Sequence, residues 1–334
     1  MKVALLHDDV PSTAREDELD VFVQADAVAE ALGELGCTAV RVPFPLDLRV
    51  VMDDLARHEP DLVFNLVESI SGHGRLIHVA PALLDALRIP YTGASAEAMF
   101  LTSNKLLSKQ FLDAHEIATP QWLVPDRRLP RLPKNAQRYI IKSVWEHASV
   151  GMDDDAIVEV KGAAALEELV RQRAERLGGD AFAEQYIAGR EFNLSLLASS
   201  DGVDVLPPAE IQFVDYPDDK PRVVGYRAKW ESQSFEYHHT PRTFDFPGSD
   251  GALLRRLCEL ARRCWELFDL HGYARVDFRV DEDGQPWVLE INANPCLSPD
   301  AGFVAATQRA ELRFTEVIGR VLADTRRGAP VEGA

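Results

Sequence analysis

The feature that most constrains the fold of this sequence is the stretch from residue 272 to residue 295, GYARVDFRVDEDGQPWVLEINANP. Two runs of alternating apolar and polar residues flank Asp283-Gly284, a dipeptide that tight hairpin turns favour because it tolerates positive φ. The spacing predicts an antiparallel hairpin centred on that turn, with side chains alternating between its two faces. On one face, the predicted register places Asp277 opposite Glu290 and Arg275 opposite Asn292.

The two faces of this predicted hairpin differ in character. The apolar face, which should pack against a core, pairs Val276 with Ile291, Phe278 with Leu289 and Val280 with Trp287. The polar face brings two carboxylates to roughly 5 Å from each other at Cβ, where like charges repel. Mg²⁺ would relieve that repulsion, because it prefers oxygen ligands and usually takes one or two carboxylates together with substrate phosphates. The residues therefore favour a magnesium site; the alternative is a solvated face on which Arg275 neutralises Asp277.

Length and composition are typical of a globular chain with an acidic surface. The 334 residues are enough for two or three domains. The net charge, 36 − 54 = −18, argues against non-specific binding to nucleic acid or to an anionic membrane. No apolar run approaches the roughly 20 residues of a membrane span, and the first residues do not read as a signal peptide. The four cysteines form no CxxC pair, so we expect a cytoplasmic protein with reduced thiols and neither a zinc site nor disulfides.

Strand and helix patterns alternate over the first 95 residues, which predicts a parallel sheet covered by helices. Ligands of such sheets bind beyond the carboxyl ends of the strands. Two loops should lie there: residues 7–9, after the first predicted strand, and residues 65–75, which follow the third strand and contain Glu68. Beyond residue 95 the pattern changes, so the predicted fold combines an α/β domain with α+β lobes.

Three lysines in separate predicted elements complete a set of charges suited to a triphosphate. Lys105 lies in a predicted helix, Lys142 ends an apolar strand, and Lys229 lies in an irregular aromatic segment. The loop after Lys142 contains small residues, including Ser149, and its backbone amides could cradle phosphate. Lysines neutralise the β- and γ-phosphate oxygens that a metal bridges. Each lysine taken alone is more typical of a surface, and the sequence has neither a GxxxxGK[ST] loop nor a kinase-type GxGxxG loop.

Several ordered motifs give the chain a specific resemblance. They are IPYTG (89–93), SNKLLSK (103–109), IK (141–142) with the loop to 151, EQYIAGRE (184–191), YRAK (226–229), RVD (275–277) and EINANP (290–295). On these motifs the chain resembles ATP-grasp enzymes and, within that superfamily, is similar to the D-alanine–D-alanine ligases from about residue 63 to residue 299. The resemblance implies an N-terminal α/β domain (1–95), a central ATP-grasp lobe (96–180), a C-terminal lobe with the metal site (181–326) and a disordered tail (327–334).

The resemblance also implies a cofactor, ATP with two Mg²⁺ ions, and a role for each matching residue. Lys105, Lys142 and Ser149 would bind phosphate, Glu184 and Ile187 would line the adenine site, Glu191 would hold the ribose, and Lys229 would reach the γ-phosphate. Asp277, Glu290 and Asn292 would ligate Mg²⁺, and Arg275 would stabilise oxyanion charge. The implied enzyme is an ADP-forming ligase acting on small molecules: a carboxylate attacks the γ-phosphate to form an acyl phosphate, and an amine then displaces phosphate to give an amide. The same resemblance suggests a homodimer.

Positions that hold the amino-acid substrates in D-alanine–D-alanine ligases differ in this chain. The family's opening Gly-Gly loop and glutamate are replaced by residues 7–16, where Glu16 could serve instead. The serine and tyrosine that couple to that glutamate align with Ala148 and Trp230, neither of which can make the same hydrogen bonds. A site built around hydrogen bonds to one ligand loses that ligand when those groups change.

The other end of the implied substrate site has changed as well. Cys296 stands where the family has glycine. The family's serine that binds the carboxylate of the second substrate aligns near Ala301, and Ser298 could take the place of that serine. The candidate substrate residues are Glu16, Glu68, Trp230, Cys296 and Ser298. We therefore predict a ligase whose substrates are not two D-alanines.

Four other functions compete with that prediction. A true D-alanine–D-alanine ligase and an ATP-grasp kinase of small molecules would share the nucleotide residues, so products would have to separate them. A non-catalytic nucleotide-binding regulator is the third, although a binder of ADP alone would not need the whole polar face of the hairpin. Catalysis by a Cys296 nucleophile is the fourth; no histidine is placed to activate it, so a structural thiol is favoured.

Overall fold

The computed structural model describes residues 1–11, 13–125, 138–145, 156–218 and 220–325. Within these residues the chain forms a parallel sheet followed by two antiparallel sheets. This is the combination of α/β and α+β architecture that the sequence predicts. The predicted disordered tail, 327–334, lies outside the described residues.

The N-terminal part is a parallel sheet with helices packed against it, as the alternating pattern predicts. Its strands, β1 (Lys2–Asp8), β2 (Thr38–Phe44) and β3 (Leu62–Asn65), lie in the order β2-β1-β3. The helices are α1 (Glu16–Glu34), α2 (Leu48–His58) and α3 (Val79–Leu87), with a 3-10 helix at Gly74–Leu76. β1 ends at Asp8, and β3 leads into the loop that contains Glu68, so these two residues meet at one edge of the sheet.

The central part begins with two helices and continues into an antiparallel sheet. The helices are α4 (Ala96–Ser103), α5 (Lys105–Ala114) and α6 (Ala163–Ala174), the last followed by a 3-10 helix at Glu175–Leu177. The strands are β4 (Trp122–Leu123), β5 (Arg138–Ser143), β6 (Ile157–Glu159) and β7 (Ala181–Gln185), in the order β4-β7-β5-β6. Because β7 pairs with β5, this sheet extends past residue 180, where the sequence places a domain boundary; the boundaries stay predictions.

Asn104 divides a region that the sequence predicts as one helix, Ser103–His115. Its side-chain oxygen accepts hydrogen bonds from the backbone N–H groups of Leu106 and Leu107 and so caps the start of α5. Apart from its first two residues and its last, the predicted helix is confirmed as α5. The cap places Lys105 in the first turn of α5, with its backbone N–H bonded to the carbonyl of Val144.

The C-terminal part is a second antiparallel sheet with helices around it. Its strands are β8 (Arg190–Ser199), β9 (Gly202–Val205), β10 (Ala209–Ile211), β11 (Arg242–Thr243), β12 (Tyr273–Val280) and β13 (Pro286–Asn292), in the order β11-β10-β8-β12-β13 with β9 on β8. The helices are α7 (Tyr226–Trp230), α8 (Phe235–His239), α9 (Gly251–Leu267), α10 (Gly302–Arg309) and α11 (Phe314–Ala323), with a 3-10 helix at Gly248–Asp250. The segment that the sequence leaves irregular, Pro207–Glu236, thus contains β10, α7 and the start of α8.

The register predicted for the hairpin is correct up to Asp277 and wrong beyond it. The structure pairs Arg275 with Asn292, Val276 with Ile291 and Asp277 with Glu290, but then Phe278 with Val288 and Val280 with Pro286. A β-bulge at Leu289 takes up the extra residue, and Leu289 leaves the core and lines a cavity. The turn is also longer than predicted: the Asp281 carboxylate accepts the N–H groups of Asp283 and Gln285.

One hydrophobic cluster joins the first and last parts of the chain. Val3 and Leu5 of β1 and Phe64 of β3 pack in the same buried cluster as Phe303 of α10 and Val317 of α11. The parallel sheet and the C-terminal sheet are therefore held together by shared core, which fixes the edge of the first against the hairpin of the second. Among the described residues, no helix combines the length and apolar character needed to cross a membrane.

Candidate active site

The polar face of the β12–β13 hairpin forms the centre of the candidate site. Asp277 lies opposite Glu290, and both side chains are half-buried. Arg275 binds the Asp277 carboxylate through both oxygens, with its Nε 2.7 Å from Oδ1 and its Nη2 2.9 Å from Oδ2. Asn193 of β8 donates a further hydrogen bond to Oδ1 at 2.8 Å. Burial alone would lower the pKa of Arg275, but Asp277 and Glu290 outweigh it and raise that pKa.

The remaining oxygen donors of this face lie on or just after β13. Lys105 Nζ is 3.6 Å from Glu290 Oε2, and the Asn292 side-chain oxygen accepts the backbone N–H of Asn294 at 2.9 Å. Among the described residues, no group of three or more His, Cys, Asp or Glu side chains could hold a metal. The donor set of Asp277, Glu290 and Asn292 nevertheless fits Mg²⁺, because that ion needs only one or two carboxylates when phosphate oxygens and water complete its shell.

A buried cluster of charges lies between the central helix α5 and the sheet of the central part. Glu184 is paired with two lysines: Lys109 Nζ lies 2.7 Å from its Oε2, and Lys142 Nζ donates to its Oε1. All three side chains are largely buried. Burial would raise the pKa of Glu184, but the two lysines lower it. Burial also lowers the pKa of Lys109, despite its pairing with Glu184. Lys142 lines the neighbouring cavity, where its ammonium group suits an anion.

A cavity lies between the two antiparallel sheets beside this cluster. Apolar side chains supply much of its wall: Ile140, Ile187, Val223, Val224 and Leu289. Lys142, Glu184 and Glu191 add polar groups. An apolar slot edged by a few charged groups is the usual form of a small-molecule site.

Lys229 approaches the polar face from the short helix α7. Its side chain reaches solvent within the cleft, but protein atoms around it displace much of its water. This desolvation and the positive charge of Arg275 lower the pKa of Lys229. The Tyr226 hydroxyl donates to Asp17 of α1 at 3.1 Å, and Arg227 lies 3.3 Å from Glu236. These contacts fix α7 at both of its sides, so Lys229 is held above the hairpin.

Cys296 and Ser298, in the loop after β13, both bind Asp20 of α1. The Cys296 thiol donates to Oδ2 at 2.9 Å, and the Ser298 hydroxyl donates to Oδ1 at 2.8 Å. Burial, with Glu68 and Asp20 nearby, raises the pKa of Cys296 well above its usual range. A thiol that stays protonated is a poor nucleophile, which supports the structural role favoured for Cys296.

Glu68 joins this group from the loop after β3. Its Oε1 accepts from Gln24 of α1 at 2.7 Å, and its backbone N–H donates to Asp8 at 2.8 Å. Burial, with Asp8 and Asp20 as like charges, raises the pKa of Glu68 to about 7, although its side chain still reaches solvent in the cleft. Asp8, which also accepts from the Ser69 hydroxyl, has its pKa raised by burial to about 6. The edge of the parallel sheet therefore presents acids that titrate near neutrality beside Arg275.

Comparison with known proteins identifies the family. Residues 134–323, more than half of the chain, match the family model described as D-ala D-ala ligase C-terminus. The chain belongs to the D-alanine–D-alanine ligase family. The resemblance to ATP-grasp ligases is thereby confirmed, and with it the class of ATP-dependent, ADP-forming ligases.

Individual relatives agree with this family over most of the chain. An uncharacterized protein y4sG of Sinorhizobium fredii is 30% identical over 304 residues, 89% of this chain and 86% of the relative. A D-alanine–D-alanine ligase of Synechococcus is 30% identical over 313 residues, 91% of this chain and 88% of the relative. Among solved structures, the Bacillus anthracis D-alanine–D-alanine ligase complexed with ATP has a TM-score of 0.72 at 18% identity and covers 97% of both chains. That structural match confirms the predicted fold.

The structure brings together most of the residues that the motifs single out. Arg275, Asp277, Glu290, Asn292, Lys105 and Lys229 meet at the hairpin, and Lys142, Glu184, Ile187 and Glu191 meet at the cavity. Ser149, and Ala148 beside it, lie outside the described residues, and for Glu16 the structure describes only its place at the start of α1. Trp230 ends α7, and among the described residues its indole N–H, although buried, has no acceptor.

Sequence reasoning missed the residues that support this site from behind. Asp20 and Gln24 lie four residues apart on α1, so they share one face of the helix and reach Ser298 and Glu68 together. The sequence did offer one sign of these contacts, because Asp20 and Gln24 are polar residues on a side of α1 that otherwise faces the core. The signal does not say which loop they contact, because their partners lie 44 or more residues away along the chain.

Proposed function

We propose that this protein is an ATP- and Mg²⁺-dependent ligase that joins a carboxylate to an amine through an acyl phosphate, with substrates other than two D-alanines. The observation that carries the proposal is the pairing of Asp277 with Glu290 on one hairpin face, flanked by Lys105 and Lys229. That arrangement supplies both signs of charge in the pattern that phosphoryl transfer requires.

The nucleotide residues follow from the site geometry. Asp277, Glu290 and Asn292 would hold Mg²⁺, which when bound would neutralise phosphate charge and orient the γ-phosphoryl group. Lys105 and Lys142 would bind phosphate oxygens. The cavity walled by Ile187 and Leu289 would take adenine, and Glu191 at its polar edge would take the ribose hydroxyls. Ser149 belongs to the same proposal by resemblance alone.

The chain's own groups then account for the reaction. A substrate carboxylate held near Lys229 and Arg275 attacks the γ-phosphorus, and ADP leaves. The amine of the second substrate attacks the acyl carbon, and the resulting oxyanion faces the Arg275 guanidinium, whose charge is permanent in this setting. Phosphate leaves with the proton that the attacking amine gives up, and the amide forms. Most of the rate enhancement would come from positioning and from fixed charges rather than from proton transfer by the protein.

The residues around the substrate end favour substrates that differ from those named for the relatives. Cys296 and Ser298 donate hydrogen bonds to Asp20, and Glu68 accepts one from Gln24. These groups are therefore bonded to α1 at the substrate end of the site. Glu68 remains exposed in the cleft and can receive an ammonium group. By resemblance, Trp230 stands where D-alanine–D-alanine ligases have a tyrosine, and its indole N–H cannot make the hydrogen bonds of that hydroxyl.

Product analysis tests the proposal directly. Phosphate release from ATP is measured with Mg²⁺ across a panel of amino acids and carboxylic acids, and products are identified by mass spectrometry. We expect an amide from one pair and little D-alanyl-D-alanine. Robust D-alanyl-D-alanine synthesis would make this a D-alanine–D-alanine ligase in substrate as well as family, a phosphorylated product without an amide would show a kinase, and no turnover with any pair would favour a nucleotide-binding regulator.

A further inference from the structure

Arg279 is a buried cation that lines the cavity between the two antiparallel sheets, and it has no role in the reaction proposed above. It lies on β12 opposite Glu191 of β8, and its side chain is only 5% exposed. Burying a guanidinium is unfavourable unless its N–H groups are paired, so the partners of Arg279 show what it holds in place.

Those partners lie in three segments that line or adjoin the cavity. Nη2 of Arg279 lies 2.9 Å from Oε2 of Glu191 and also donates to the carbonyl of Arg222. Nη1 donates to the carbonyl of Gly189 at 3.1 Å. One side chain therefore ties together the Glu191 carboxylate, the turn between β7 and β8, and the segment that leads to Val223 and Val224 of the cavity lining.

Two aromatic rings enclose the guanidinium and limit its movement. The ring centres of Tyr186 and Phe213 lie 5.7 and 5.5 Å from its central carbon, within the range of cation–π attraction. The Tyr186 hydroxyl donates to the same Arg222 carbonyl at 3.4 Å. With its rotation restricted in this way, Arg279 can hold its acceptors in one geometry.

We propose that Arg279 is the positioning residue that orients the Glu191 carboxylate toward the ribose and so sets a preference for ribonucleotides over 2′-deoxyribonucleotides. The inference rests on the proposed function, in which Glu191 receives the ribose hydroxyls. Arg279 occupies Oε2, and within the part of the chain that the structure describes Oε1 has no protein donor. Oε1 is thus the oxygen directed to a ligand hydroxyl, and a bond from that hydroxyl to a fixed carboxylate is of the stronger, charge-assisted kind.

Isothermal calorimetry with ADP and 2′-deoxy-ADP, in Mg²⁺ and on the full chain, tests the inference without knowledge of the other substrates. We expect the wild-type protein to prefer ADP by roughly tenfold or more, the usual effect of losing one hydrogen bond to a charged group. Arg279→Met should weaken ADP binding and reduce that preference to roughly twofold, because the released carboxylate no longer discriminates.

Arg190→Met is the matched control. Arg190 adjoins Glu191 on the same strand and is also paired, with Glu210 at 2.8 Å and Asp250 at 2.7 Å, but it does not line the cavity. This variant should keep the wild-type preference. If Arg279→Met does not fold, Arg279→Lys keeps a positive charge that cannot reach all three acceptors, and it should lower the preference in the same direction.

A double-variant cycle separates positioning from general damage. Glu191→Gln should lower the preference by itself, and adding Arg279→Met to it should lower the preference no further, because the two residues act through one contact. An unchanged preference in both Arg279 variants, while ADP still binds, would overturn the role of Arg279 and leave the proposed function in place. Wild-type protein that binds no ADP would instead overturn the proposed function, and the inference with it.

Discussion

The Asp277 carboxylate already binds a cation of the chain, Arg275, and the proposed function requires it to bind a metal ion as well. Arg275 and Asn193 already donate three hydrogen bonds to it, at 2.7, 2.9 and 2.8 Å. A carboxylate offers about four acceptor sites, so these bonds offset the repulsion from Glu290 without using all of its capacity. The solvated alternative and the proposed magnesium site are thus compatible with one geometry: Arg275 neutralises Asp277 in the protein alone, and the remaining acceptor capacity of the carboxylate would serve a metal.

Replacing Asp277 tests that sharing at the level of one residue. Asp277→Asn removes the charge and one metal-binding oxygen but keeps a similar shape, so we expect Mg²⁺ to lose its effect on ADP affinity and ligase turnover to fall roughly 100-fold or more. ADP affinity is measured by calorimetry in Mg²⁺ and in a chelator. Asp283→Asn, in the exposed turn of the same hairpin, should behave like the wild type. Equal magnesium dependence in the two variants would remove Asp277 from the metal site.

Glu68 makes stability depend on pH in a direction that can be worked out. Its folded-state pKa, about 7, is above its value in an unfolded chain, so the folded protein binds this proton more tightly. The resulting stability is fully present below about pH 4 and is lost as pH rises toward about 7. Glu68→Gln removes the titration, so its free energy of unfolding relative to wild type should increase over that interval. Denaturant titrations at several pH values check this, and a constant difference between the two proteins would contradict it.

Among the elements, the β12–β13 hairpin shows what alternation can and cannot predict. Period-two patterning and the Asp-Gly turn correctly predict the pairing of Asp277 with Glu290. The pattern wrongly places Leu289 in the core, opposite Phe278. An apolar side chain can pack in a core or line an apolar cavity, and hydrophobicity alone does not distinguish the two. The bulge that the structure uses is therefore a property of the site, visible only when β8 and the central sheet are placed beside the hairpin.

The turn between β7 and β8 offers a second test at this scale. Gly189 has φ +131°, and a Cβ there would lie 2.1 Å from the carbonyl oxygen of Val280. Gly189→Ala should therefore cost about 3 kcal/mol or more, from backbone strain and displacement of β12, and should also weaken ADP binding because Ile187 and Arg279 adjoin this turn. Thermal and denaturant unfolding measure the cost.

Gly202 is the matched control for that substitution. It has a similar φ, +124°, but a Cβ there would meet nothing within 4 Å. Gly202→Ala should therefore show only the backbone strain, about 1–2 kcal/mol, and leave ADP affinity unchanged. Equal destabilisation by the two alanines would mean that the approach of the turn to β12 is relaxed at little cost.

Across the whole molecule, local order was predictable and long-range support was not. The alternation of strands and helices predicts the parallel sheet, and the spaced motifs predict which residues meet at the candidate site. Neither predicts that Asp20 reaches Ser298, a contact across 278 residues, or that Asp17 reaches Tyr226 across 209. Such contacts depend on how α1 packs against the C-terminal part, which follows from the shape of a shared core rather than from any local pattern.

That shared core leads to a prediction about how the molecule unfolds. Phe303 is fully buried in α10, edge-on to Tyr273 at 5.4 Å, in the cluster that also contains Val3 and Leu5 of β1. Phe303→Ala should cost about 3–5 kcal/mol and should speed hydrogen exchange in β1 and β12 together, because one cluster supports both sheets. Leu166→Ala, in the separate core of the central part, should speed exchange in β5 and β7 instead. If Phe303→Ala left β1 protected while β12 exchanged, the first 95 residues would be stable on their own. The contacts of α1 with the loop after β13 would then form between two independently folded parts of the chain.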